Sequence, residues 1–111
     1  MIERWTPEWR VAKSLALHDA VARHLLADPS LIQKKIIPTL ERFKQVHRTS
    51  GSLPLLEQWE QALQAGVDAT IAVCRDPREG GRQLRQASPM AGILSDAERK
   101  AIIETIHGHT A

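Results

Sequence analysis

Four arginines, Arg75, Arg78, Arg82 and Arg85, follow one another at spacings of three and four residues. On one continuous helix such spacing gathers side chains on a single face. A row of guanidinium groups suits phosphates or the carboxylates of an acidic partner, because the planar fork matches both geometries. The same row also reads as a solvated face neutralised locally by Asp76 and Glu79. Pro77 interrupts the segment and leaves the place of Arg75 on that face open. A second basic set, Lys34, Lys35, Arg42, Lys44 and Arg48, reads as the solvated side of another helix, with nucleic-acid contact as the alternative.

The remaining reactive residue types assemble no recognisable machinery. His18, His24, His47, His107 and His109 form no H-x-x-x-H or H-E-x-x-H pair, so no metal site is expected. His18 and Asp19 are chain neighbours, and neighbours on a helix point apart. The single cysteine, Cys74, falls among apolar residues and reads as a buried structural thiol. Ser88-Pro89 lacks a G-x-S-x-G elbow, and Gly80-Gly81 alone makes no phosphate loop. Neither a catalytic residue nor a cofactor site is expected, and the chain reads as a non-enzyme.

The elements that must carry these residues are helical throughout. Thr6-Pro7-Glu8 reads as a cap, a first-turn proline and a first-turn acid, opening a helix over 7–27. Asp28-Pro29 opens a second over 29–49, whose apolar register continues through Pro38 and predicts a kink there. Ser52 and Pro54 open a third over 53–65, with Gly66 as its stop. Asp68 is expected to cap a short helix over 69–75, and Asp76-Pro77 to open a fifth over 77–87, weakened by Gly80-Gly81. Ser95-Asp96-Ala97-Glu98 is a capping box opening a sixth over 96–107, ended by Gly108. Trp9 and Trp59 fall on apolar helix faces and belong to the core, while Trp5 is placed to staple the chain entry against Trp9. No stretch alternates with period two, and Tyr is absent. The expected fold is all-α, a single-domain compact bundle of five to six helices over 1–111.

Composition narrows the class further. Of 111 residues, 42% are apolar and 25% charged, as in a globular domain. No apolar run is long enough to span a bilayer, and Met1-Ile2-Glu3-Arg4-Trp5 shows no secretory leader, so a cytoplasmic location is expected. One cysteine excludes an internal disulfide framework. Residues 1–50 hold nine Lys/Arg against five Asp/Glu, residues 51–74 hold only Glu57, Glu60 and Asp68, and residues 75–111 are nearly balanced. The overall charge of +2 is far from that of a dedicated nucleic-acid binder.

Between the last two helices, Ser88-Pro89-Met90-Ala91-Gly92-Ile93 is too apolar for a free loop. It must either plug the end of the bundle or be covered by a partner. The pattern Leu84-Arg85-Gln86-x-Ser88-Pro89-x-Ala91-Gly92-x-Leu94-Ser95-x-x-Glu98-Arg99 resembles the C-terminal signature of small bacterial proteins from toxin–antitoxin-like and mobile-element contexts. With Ser14-Leu15-Ala16-Leu17-His18 as an earlier helical segment, the likeness covers about residues 14–103. Met90 stands where that pattern usually has Phe, and the chain has no room for the helix-turn-helix module of some longer relatives. The resemblance implies an antitoxin-like, regulatory interaction and no activity, with Arg85, Gln86, Pro89, Gly92 and Arg99 as signature residues. The expected partner is a protein, a toxin in that context, bound through Arg78, Arg82, Arg85, Gln86, Met90 and Arg99. Nucleic acid bound on the Arg-rich face is the alternative, and a bundle of this size can also pair with a second copy.

Overall fold

A computed structural model describes residues 5–107, with the backbone alone at His107. Gly108 and His109, the expected stop and the last histidine, lie outside the described residues. Six α-helices follow in order: α1 (Pro7–Ala27), α2 (Ile37–Val46), α3 (Leu53–Ala65), α4 (Val67–Arg75), α5 (Glu79–Gln86) and α6 (Asp96–His107). The all-α bundle is therefore observed, with no strand among the described residues. Among them no helix is long and apolar enough to cross a membrane.

Helix α1 is the spine, packed against α4, α5 and α6, while α3 bridges α2 and α4. Its start follows the expected logic, since Thr6 Oγ1 accepts the Trp9 amide at 3.1 Å and Pro7 needs no donor. Trp5 meets Trp9 with ring centroids 4.9 Å apart, the predicted staple. The core runs from Val21 and Leu25 through Ile36, Leu40 and Leu56 to Trp59 and Cys74. Trp59 is fully enclosed, and its indole N–H donates to the Leu84 carbonyl at 2.6 Å.

Several boundaries differ from the sequence reading, each for a local reason. The segment before Pro38 is a π turn over Ile32–Ile36, in which the Ile37 amide reaches back to the Ile32 carbonyl. The wider turn sits just ahead of a proline that cannot donate, and the helix ends at Val46 instead of residue 49. Ser52 makes no cap bond, because its backbone is itself helical. Asp68 is not the cap of α4. Gly66, at φ 121°, takes that position, and Asp68 sits in the first turn. Helix α5 begins at Glu79, two residues late, because Asp76 Oδ1 accepts the Arg78 amide and holds 76–78 in a turn. At α6, Ser95 Oγ caps the Glu98 amide at 3.1 Å. The Glu98 carboxylate reaches across to His24 Nε2 at 2.9 Å, tying α6 to α1.

Candidate functional site

The turn at Asp76-Pro77 breaks the arginine row. Arg75 closes α4 and pairs with Asp19 at 2.8 Å. Arg78 precedes α5, is largely exposed and forks onto the Asp76 carboxylate. Arg82 is half-exposed, with Glu79 only at 3.9 Å. Arg85 points inward, 5% exposed, and its Nη1 donates to the main-chain carbonyls of Val73 and Asp76. The expected single face is corrected on this point: a chain reversal sends four regularly spaced residues to four surroundings.

The inward turn of Arg85 has a structural logic. The C-terminal end of a helix favours a cation, and the Arg85 guanidinium supplies one, bonding Val73 in the last turn of α4 and Asp76 just beyond it. Gly81 permits the approach, since a Cβ there would lie 2.3 Å from the Asp76 carbonyl oxygen. No carboxylate compensates Arg85 directly, because that of Asp76 is held by Arg78. Burial accordingly pulls the Arg85 pKa down, with Asp76 and Cys74 working against that and Arg82 adding to it.

The signature residues separate into two clefts on either side of one turn of α1. The first, of about 200 Å³, lies between α1 and α5 and is lined by Arg10, Val11, Ser14, Arg82, Arg85 and Gln86. Three arginines border it and no acid does. The second, of about 230 Å³, is lined by Leu17, His18, Val21, the 88–94 loop and Arg99. Arg99 is exposed at its rim, but Met90 is only 6% exposed and Ile93 9%. The apolar loop is thus a plug in the bundle end, and Met90 is not an accessible anchor.

A hydrogen-bonded chain separates the two clefts. His18 is buried, with Nδ1 2.7 Å from the Ser14 carbonyl and Nε2 2.7 Å from Ser88 Oγ. A carbonyl can only accept, so Nδ1 carries the proton and Nε2 accepts from the Ser88 hydroxyl. Burial holds the His18 pKa below its usual value, the Ser14 bond opposes this and the Arg85 charge reinforces it. Ser88 Oγ also accepts the Met90 amide at 3.2 Å. The spacing of a hydroxyl and an imidazole is present, and burial favours the neutral imidazole. The pair clamps the 88–94 loop onto α1.

The sequence reading gave Arg10 no role and named Ser14 and His18 without placing them together, though the three recur every four residues and so share one face of α1. That spacing was the available signal. Ser88 gave none, being 70 residues from its partner. Of the second basic set, Lys44 is paired with Glu60 at 2.9 Å, while Lys34, Lys35, Arg42 and Arg48 are exposed. Cys74 is fully buried, and burial pushes its thiol up to about 12. Among the described residues no group of His, Cys, Asp and Glu could hold a metal ion.

These features define a six-helix all-α protein with an arginine-rimmed cleft along its longest helix. The chain matches no protein-family model, no curated protein and no solved structure.

Proposed function

We propose that the chain is a small binding protein that engages and regulates a protein partner through the α1–α5 edge. The observation behind this reading is that Arg10, Arg82 and Arg85 line one cleft whose lining contains no carboxylate. Several basic side chains outside the cleft are paired locally: Arg23 and Arg75 on Asp19, Arg78 on Asp76, Lys44 on Glu60. Arg10 and Arg82 are exposed, and Arg82 has only a long contact to Glu79, so both forks can bond an incoming acceptor with little reorganisation. Gln86 adds an exposed amide on the same edge. The action would be occlusion, a rigid helical edge covering the partner's own working surface. The antitoxin-like resemblance of residues 84–99 agrees with this class of role.

A photo-crosslinking residue at position 86, expressed in the source cells, tests the reading. Position 64, exposed on α3, serves as the control. One stoichiometric protein crosslinked from 86 and not from 64, and retained after nuclease, is the expected result. Crosslinks to nucleic acid, or equal yields from both positions, would overturn it.

A further inference from the structure

One donor at this cleft is used by neither the fold nor the solvent. The buried polar side chains Thr39, Thr70 and His18 all have hydrogen-bond partners. Arg85 is the exception: its hydrogen bonds run through Nη1, and its Nε is buried without a partner. A buried N–H left unpaired on a cation is costly, and an acceptor arriving there recovers that cost. The orphan donor belongs to a residue lining the cleft that Arg10 and Arg82 flank.

We propose that the α1–α5 cleft is an oxyanion subsite for a side-chain carboxylate on an acidic peptide segment of the partner, received at the Nε edge of Arg85 between Arg10 and Arg82. This rests on the reading of the edge as a partner surface. The Nε–Nη2 edge of a guanidinium presents two parallel donors at the spacing of carboxylate oxygens. Ser14 supplies a hydroxyl at the same cleft, and Arg10 and Gln86, also in its lining, are exposed.

The adjoining surface favours a peptide as the source of the anion. The cleft shares Val11 and Arg82 with a shallower trough of about 330 Å³, lined otherwise by Pro7, Glu8 and Ala12. Pro7, Val11 and Ala12 offer apolar contact to a residue next to the acidic one. Glu8 opposes a second negative charge there. A nucleic-acid strand carries a phosphate at every step and would bring one toward Glu8. An acidic residue beside an apolar one meets both halves of the surface.

Arginine Nε–H resonances of the ¹⁵N-labelled full chain report on this directly. The probes are the peptide acetyl-Val-Ala-Glu-amide and inorganic phosphate, each titrated at constant ionic strength. The peptide is expected to shift the Arg85 Nε–H saturably, more tightly than phosphate. Arg10→Ala and Arg82→Ala, both at exposed positions, are each expected to weaken it about tenfold, the value of one charge-assisted hydrogen bond. Lys100→Ala, at an exposed position on α6, should leave it unchanged. An Arg85 Nε–H unmoved by the peptide overturns the subsite, whether or not a protein is crosslinked from position 86. Phosphate moving it where the peptide does not overturns the peptide assignment. Saturable peptide binding without any crosslinked protein supports the subsite and overturns the protein-partner reading instead.

Discussion

Arg85 donates through Nη1 to the main-chain carbonyl of Asp76, while the carboxylate of Asp76 is turned away onto Arg78. Arg85 thereby caps the end of α4 with no carboxylate bonded to its guanidinium. The same residue holds the α4–α5 corner together and lines the cleft proposed as the partner's anchor. A structural cation left without its own anion is a cost to the fold that an incoming anion can offset.

The corner makes opposite demands on adjacent glycines. Gly81 has the Asp76 carbonyl where its Cβ would be, whereas Gly80 faces open space within the helix. Gly80→Ala should stabilise the protein by about 0.5–1 kcal/mol, by removing backbone freedom from the unfolded chain. Gly81→Ala should destabilise it by roughly 1–3 kcal/mol, the cost of overpacking. Urea unfolding of both variants checks the pair. Equal effects would mean that α5 does not sit this closely on the turn.

The clamp between α1 and the loop should be visible in stability. Ser88→Ala leaves His18 Nε2 without a donor in a buried setting, which costs about 1–3 kcal/mol. It also removes the acceptor of the Met90 amide. Denaturant midpoints compared with Ser95→Ala, an exposed cap worth about 1 kcal/mol, set the scale.

His18 also dictates a pH dependence. Its pKa is lowered on folding, so the unfolded chain binds the proton more readily below about pH 6.5. The contribution is fully present above the unfolded value and is lost as pH falls from there toward the folded value, by at most about 1.4 kcal/mol per pH unit. Unfolding free energies at pH 7.5 and 5.5 should therefore fall more in the wild type than in His18→Gln. An identical fall in both would show that His18 is not buried neutral.

Cys74 should be silent in the native protein. Burial and a thiol pKa pushed up to about 12 leave almost no accessible thiolate at pH 8. A thiol reagent should label it only after unfolding, so the labelling rate would follow added urea.

The elements that sequence reasoning located well are those with local signals. Thr6-Pro7 and Ser95-x-x-Glu98 opened α1 and α6 where the structure opens them, and α3 ran over the expected residues. The misses are tertiary. Glu98 looked like the second half of a capping box, but His24 on another helix took its carboxylate. The arginine row was expected to share one face if its helix were continuous, and a three-residue turn divides it. Arg82, Arg85 and Gln86 of the cleft lay in the distinctive stretch, whereas Arg10 and Ser14 were hidden in an ordinary amphipathic helix. Met90 was expected at a partner's surface and belongs to the core, because an apolar loop with no cover folds onto its own bundle.

The most direct measurement of the central claim is thermal unfolding of the wild type and of Arg10→Ala/Arg82→Ala with and without the Val-Ala-Glu peptide at fixed ionic strength. A ligand that binds only the folded chain at ten times its Kd adds about 1.4 kcal/mol of stability. For a domain of this size that is an upward shift of several degrees. The account predicts a saturable shift in the wild type and little or none in the double variant. The same shift in both proteins, or none in either, would contradict it.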